Sequence, residues 1–164
     1  MDISSLINAL QATPLSEAIR ESDWLFPAIE SAHVIAIVLV VGSITVVDLR
    51  LVGVASRNRS AEELITELLP ITWTAFAVAV IAGSLLVIGK PQTYSQSPVF
   101  LSKMGLILLA GLNMVVFHRF VQPRLRHAPL GAAPPVAARA SGLVSLALWI
   151  GVVALGRLIG FTTN

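Results

Sequence analysis

Apolar residues fall into four long runs that are separated by shorter polar segments. The runs cover about residues 28–47, 70–88, 99–118 and 142–161. Each is about 20 residues long, which is enough for an α-helix to cross the ~30 Å hydrocarbon core of a bilayer. Helices also satisfy their own backbone hydrogen bonds where no water is available. The pattern predicts an all-α fold, an integral membrane four-helix bundle in which residues 1–164 form a single membrane domain.

The segment before the first run has a different, amphipathic pattern. Its apolar stretches, residues 3–10 and 15–19, are separated by Pro14 and are too short to span a membrane. Trp24 and Phe26 follow, and aromatic residues of this kind concentrate at membrane–water interfaces. We therefore expect a short N-terminal interfacial helix that lies on the membrane surface.

The polar segments between the runs predict the connections. Ser60 is placed as an N-cap with Glu63 as its capping-box partner, which predicts a short helix outside the membrane before a second span that starts at Pro70. Residues 90–98 are rich in Gln, Ser and Pro and predict a turn region. Residues 122–139 contain a Pro and Ala run and predict an irregular linker.

Composition supports lipid as the solvent of this chain. Hydrophobic residues make up 55% and charged residues only 12% of the sequence, and the mean hydropathy is +0.84. The net charge is +2, but the Lys and Arg residues are scattered among the loops, so a lipid bilayer and no nucleic acid is the expected partner. The sequence contains no Cys, which excludes disulfides, thiolate metal sites and cysteine nucleophiles.

The distribution of Lys and Arg predicts the orientation of the spans. Three basic residues, Arg20, Lys90 and Lys103, lie near one side of the predicted bundle. The other side carries seven, namely Arg50, Arg57, Arg59, Arg119, Arg124, Arg126 and Arg139. Because cytoplasmic loops are enriched in Lys and Arg, the second side is expected to be cytoplasmic. The sequence therefore predicts a multi-pass protein of the bacterial inner membrane with both termini in the periplasm.

Ionisable side chains inside the spans are candidates for function because their desolvation is costly. Five of them stand out: Glu30, His33, Lys103, His118 and Arg157. His33 and Lys103 each lie about five residues in from the same side, at a depth of roughly 8 Å. His118 is fifteen residues further along the third span, roughly 22 Å away. It is therefore not expected to share one metal ion with His33.

The first span is predicted to carry a polar stripe. Glu30, His33 and Asp48 fall within about 60° of one another at 100° per residue. We expect this stripe to face the interior of the bundle. The opposite end is expected to hold a second polar cluster, formed by Asp48, Arg50, His118 and Arg119.

The depth of Arg157 in the fourth span matches that of His33 and Lys103, and this convergence predicts a haem site. His33 would be the metal ligand, Lys103 a second ligand or neighbour, and Arg157 the partner of a propionate, with Glu30 beside them. Other interpretations remain open. His33 could instead pair with Glu30 or with a backbone carbonyl, Lys103 could extend to the interface, and Arg157 could pair with Glu30.

Several short strings resemble known membrane proteins. The strings ESAHV at residues 30–34, GS at 42–43 and DLRL at 48–51 resemble an uncharacterised family of small bacterial four-helix membrane proteins. More distantly, His33 together with the Lys-x-Gly-Leu pattern at residues 103–106 resembles the HemJ-type protoporphyrinogen oxidases and the membrane domain of copper resistance protein D. This resemblance implies a four-helix module.

The resemblance to HemJ-type proteins implies haem b, with His33 and Lys103 at the positions associated with its binding. The function predicted from the sequence is a haem b binding membrane module that is not an enzyme by itself. It would pass electrons or anchor a periplasmic redox protein. Two alternatives are a copper-handling or transport-associated membrane protein, for which methionines provide few soft ligands, and a structural subunit of a larger membrane complex. An oligomer is compatible with each of them.

Overall fold

The computed structural model describes residues 3–55, 58–125 and 133–162. Within these ranges the chain is helical apart from short connections, and no strand occurs in them. The predicted all-α class is therefore confirmed. In chain order the helices are α1 (Ile3–Gln11), α2 (Pro14–Glu21), α3 (Leu25–Val52), α4 (Ala61–Gly89), α5 (Pro91–Ser95), α6 (Pro98–Val116), α7 (Gln122–Leu125) and α8 (Val136–Thr162).

Four helical segments are long and apolar enough to cross a membrane. They are Leu25–Val52, Ala61–Gly89, Pro98–Leu125 and Val136–Phe161. Each contains one of the apolar runs in the sequence, and many of their large apolar side chains are exposed, as lipid-facing side chains must be. The chain is a multi-pass membrane protein built as a bundle of four helices.

The N-terminal interfacial segment forms two helices where one was expected. Pro14 occupies the first position of α2, where its missing N–H costs no hydrogen bond, and Thr13 caps that helix by accepting from the N–H of Ser16. Ile19 is fully buried and packs against Gly89. If Gly89 carried a Cβ, that atom would lie 2.8 Å from Cγ2 of Ile19. This contact fixes α2 against the end of α4.

The expectation of a separate short helix before a span starting at Pro70 was wrong. The helix α4 runs without interruption from Ala61 to Gly89 with Pro70 inside it, whereas the predicted capping box of Ser60 and Glu63 is present. Proline removes one backbone hydrogen bond, but the loss is tolerated near the polar end of a span. The hydroxyl of Thr74 donates to the Pro70 carbonyl over 2.9 Å.

The third span contains a π-helical turn over Phe117–Val121. The N–H of Gln122 donates to the carbonyl of Phe117, five residues earlier, which is the hydrogen bond that defines this geometry. Pro123 follows directly and has no N–H to continue the α-helical pattern. The wider turn accommodates this proline and lets the helix continue to Leu125.

The connections differ in part from the expected turn and linker. The turn region 90–98 contains α5, and the linker 122–139 is helical at both ends, in α7 and in the start of α8. The middle of that linker lies outside the described residues. So do Arg57 and Arg126, which contributed to the predicted orientation.

The spans pack as two helix pairs. The most extensive interfaces are those of α3 with α4 and of α6 with α8, and the pairs are joined through α3 and α8. One apolar cluster fills the middle of the bundle and contains Val40, Ala75, Ala110, Trp149 and Val152. A second lies toward the end of α3 and contains Leu51, Ala61, Ile65, Phe117, Val121, Leu125 and Ala138. Polar side chains lie at both ends of this apolar interior.

Candidate functional site

His33 is held against α4 by a hydrogen bond to a backbone carbonyl. Its Nδ1 lies 2.8 Å from the carbonyl oxygen of Ala79. A carbonyl oxygen can only accept, so Nδ1 carries the proton in this bond, and Nε2 keeps its lone pair when the ring is neutral. The ring also lies where a side chain on Gly83 would stand, since a Cβ there would be 2.9 Å from Cε1 of His33.

Lys103 approaches the same region from the other helix pair. Its side chain is partly buried and faces Gly156 of α8. If Gly156 carried a Cβ, that atom would lie 3.6 Å from Nζ of Lys103. The ammonium is therefore turned toward α8 at a glycine, and its charge acts on the His33 imidazole. His33 and Lys103, which the sequence placed at one depth, therefore interact electrostatically. We call the part of the bundle around them the His33 end.

Glu30 and Tyr94 complete the charged and polar surroundings at the His33 end. Glu30 acts electrostatically on both His33 and Tyr94, but its side chain is exposed, so it does not point into the bundle as expected. It lies near the start of α3, where a carboxylate can stay hydrated and avoid the cost of burial. Burial raises the pKa of Tyr94, and the negative charge of Glu30 adds to this effect, so the phenol is neutral at ordinary pH.

Tyr94 was missed by the sequence reasoning. It belongs to α5, outside the apolar runs, and its ring packs against Phe100 with 5.3 Å between the ring centroids. It is the sole tyrosine of the chain, which was the one available signal.

Arg157 is not brought to His33. Its side chain is exposed, and the guanidinium lies 4.5 Å from the ring centroid of Phe161 on the same helix. Gly156 faces Lys103, and the next residue on a helix is rotated by about 100°, which turns Arg157 to a different side. The contact of Arg157 with a haem propionate stays a prediction.

The opposite end of the bundle, which we call the Asp48 end, carries a buried carboxyl group. Asp48 is 5% exposed and hydrogen-bonds with Ser145 of α8. Arg50 is also buried, but its Nε donates to the carbonyl of Arg59 over 2.8 Å. His118 bonds within its own helix, with Nδ1 2.9 Å from the Met114 carbonyl oxygen. Ser145 was missed because a serine in an apolar run carries no sequence signal of its partner.

The side-chain types at these positions restrict the kind of metal centre that the protein could form. A group of three or more His, Cys, Asp or Glu side chains able to hold a metal ion is not found in the described parts of the chain. A haem iron needs fewer ligands from the protein, because the porphyrin supplies the equatorial ligands and the protein adds one or two axial ones. His33 with Lys103 provides a donor set of that size.

The fold and these two polar ends define the class of protein: a four-helix integral membrane protein with ionisable side chains in its interior. The chain belongs to DUF6644, a family of unknown function, whose match covers residues 26–162 and so includes all four spans. Comparison with curated proteins and with solved structures gave no match. The family match agrees with the predicted small four-helix membrane family, whereas the more distant likeness to HemJ-type oxidases and copper resistance protein D is not shown.

Proposed function

We propose that this protein is a haem b binding membrane module that passes electrons or anchors a periplasmic redox protein. His33 would be an axial ligand, and Lys103 a second ligand or close neighbour. The observation that carries the proposal is the hydrogen bond between Nδ1 of His33 and the carbonyl of Ala79.

This hydrogen bond prepares the imidazole for ligation. Metal-binding histidines almost always donate their second ring N–H to a carbonyl, a carboxylate or water, which fixes the tautomer and the ring orientation. His33 does so through Nδ1, on the side that faces Ala79. Nε2 is then the unprotonated nitrogen of the neutral ring, which is the form that ligates iron.

A ligand bound by both side chains would bridge the two helix pairs. His33 belongs to the α3 and α4 pair, whereas Lys103 belongs to the α6 and α8 pair. Cofactor sites in helical bundles are built in this way, from side chains on facing helices. Gly83 lies so close to His33 that an added Cβ would displace the ring, whereas Gly156 lies in ordinary contact distance of the Lys103 ammonium.

A bound haem b would supply a one-electron carrier, and the surrounding residues would tune and orient it. Axial ligands, hydrogen bonds and burial are the means by which a protein adjusts haem chemistry. Here the Ala79 carbonyl polarises His33, while the charges of Lys103 and Glu30 act on its ring. Neutral Tyr94 adds a hydroxyl group on which the charge of Glu30 acts.

We place this module in the bacterial inner membrane with the His33 end on the periplasmic side. Support comes from the basic residues at the Asp48 end, which include Arg50, Arg59, Arg119, Arg124 and Arg139 among those that the structure describes. An excess of arginine in short loops marks the cytoplasmic side. Both termini would then be periplasmic.

The decisive experiment is the visible spectrum of the protein purified after expression with haem in supply. A Soret band and a reducible α band are expected from the wild type. His33→Ala should lose the Soret band while still inserting into the membrane, because the four apolar helices do not depend on the ligand. A colourless wild-type protein, or a His33→Ala protein with an unchanged spectrum, would contradict the proposal.

His118→Ala is the matched control for this experiment. His118 is the other histidine of a described span, and its Nδ1 is likewise bonded to a backbone carbonyl, but on its own helix at the far end of the third span. Its substitution should leave the spectrum unchanged. Loss of haem in His118→Ala with retention in His33→Ala would move the site to the Asp48 end.

A further inference from the structure

The carboxyl group of Asp48 lies inside the bundle with one oxygen that has no hydrogen-bond partner among the described residues. The side chain is 5% exposed, and Oδ2 is fully buried. Ser145 of α8 forms the hydrogen bond that the carboxyl group does make. An ionised carboxylate in this position would lack both water and a full set of donors, which is the costliest way to bury such a group.

The described arginines of the neighbouring elements either make other contacts or are exposed. Arg50, two residues further along α3, directs its Nε to the carbonyl of Arg59. Arg59 in turn forms a salt bridge with Glu67 on the surface of α4. On α8, the side chain of Arg139 is exposed. None of these contacts places a guanidinium on the Asp48 carboxyl group.

The titratable and charged side chains at this end of the third span are likewise directed away from the Asp48 carboxyl group. His118 bonds to the carbonyl of its own helix at Met114, and Arg119 is exposed. The adjoining α6 and α8 surfaces are uncharged: Asn113 and Ser141 hydrogen-bond with each other through side chain and backbone at 3.1 Å. Ser141 lies one helical turn before Ser145, so these neighbours, as far as the structure describes the chain, provide hydroxyl and amide groups.

Close helix packing keeps this carboxyl group dry. A Cβ on Gly142 would lie 3.1 Å from the backbone carbonyl oxygen of Asp48 and 3.2 Å from Cβ of Leu51. The missing side chain of Gly142 therefore lets α8 approach α3 directly beside Asp48. Yet Asp48 lies only five residues before Gly53, where α3 ends, a distance of roughly 8 Å along the helix.

We propose that Asp48 is a proton-binding site, a carboxylic acid that is neutral in the folded protein and exchanges its proton through the Asp48 end of the bundle. A proton is the ligand that fits, because it removes the uncompensated charge and gives the acid an O–H donor for the Ser145 hydroxyl. A metal cation would need several oxygen ligands around it, whereas Ser145 is the side chain that bonds to this carboxyl group.

Infrared spectroscopy of the reconstituted full-length protein at neutral pH tests this proposal. The wild type should show the carbonyl stretching band of a protonated carboxylic acid, with a downshift in D₂O that reports exchange. Asp48→Asn should lose this band, and Glu30→Gln, which changes an exposed carboxylate, should keep it. A wild-type spectrum without the band, a band unchanged in Asp48→Asn, or one that does not shift in D₂O would overturn the proposal.

Chemical labelling gives a second measurement that needs no variant. Dicyclohexylcarbodiimide reacts with protonated carboxyl groups in apolar surroundings, so mass spectrometry of the labelled wild type should find the adduct on Asp48. Exposed Glu17 and Glu63 should remain unlabelled at neutral pH. Labelling of Asp48 by a water-soluble carbodiimide with an amine, without reaction with the apolar reagent, would show a carboxyl group in contact with water and refute the assignment.

Discussion

Nδ1 of His33 lies 2.8 Å from the carbonyl oxygen of Ala79, and this hydrogen bond joins the first span to the second. The two residues are 46 positions apart in the chain. The carbonyl oxygen of a regular α-helix already accepts from the N–H four residues later, so this oxygen uses its second lone pair for His33. The bond thereby fixes the side chain on which the proposed haem site depends.

Enlarging Gly83 should disturb His33 directly. In Gly83→Ala the new Cβ would lie 2.9 Å from Cε1 of His33, so the ring or the helix has to move. Overpacking of this kind costs about 1–3 kcal/mol. We expect a lower melting temperature in detergent and a weaker Soret band. Gly105→Ala, where nothing lies within 4 Å of the added Cβ, is the control and should keep both or gain stability.

Lys103→Met distinguishes a ligand from a neighbour. If the Lys103 amine ligates the iron, the thioether should replace it and move the Soret and α bands, because the axial ligand determines the electronic state of haem. If Lys103 is only a neighbour, the bands should stay in place. The reduction potential of the haem should still change, because the charge of Lys103 is lost. A variant with unchanged spectrum and unchanged potential would remove Lys103 from the site.

The hydroxyl groups of Ser43 and Thr72 should couple α3 to α4 in the middle of the bundle. Their oxygens are 2.8 Å apart. Hydrogen bonds between membrane helices contribute about 0.6 kcal/mol on average. A double-mutant cycle with Ser43→Ala and Thr72→Val, read from unfolding in mixed micelles, should give a coupling energy of that order. Ser84→Ala removes a hydroxyl that donates to the Val80 carbonyl of its own helix and should change stability least.

Ile19→Ala should release α2 from the bundle. Ile19 is fully buried against Gly89, and Ile→Ala substitutions at buried sites cost about 2–5 kcal/mol. The four spans do not depend on this contact, so we expect the loss to be local. Faster tryptic cleavage after Arg20, with unchanged membrane insertion, would show it. Leu15→Ala, at a side chain that is 49% exposed, should leave the cleavage rate unchanged.

Reporter fusions test the orientation of the spans. A fusion at Ala133, in the connection before α8, should report a cytoplasmic location, and fusions at either terminus a periplasmic one. A periplasmic signal at Ala133 would reverse the topology and place the Asp48 end outside.

The sequence by itself determined the number of spans, because runs of about 20 apolar residues have few other ways to fold in lipid. It also determined the capping box of Ser60 and Glu63, whose partners are three residues apart. It predicted that His33 and Lys103 lie at one depth, since depth follows from position along a helix. These features are local, or they depend only on the membrane as a reference plane.

Tertiary structure alone decided which side chains meet. The partners of His33 and Asp48 are the carbonyl of Ala79 and the hydroxyl of Ser145, neither of which stands out in an apolar run. The continuation of α4 through Pro70 and the outward rotation of Arg157 were also not predictable. The physical reason is that a helix's rotation about its own axis is set by side-chain packing against its neighbours, which the apolar pattern of one span does not encode.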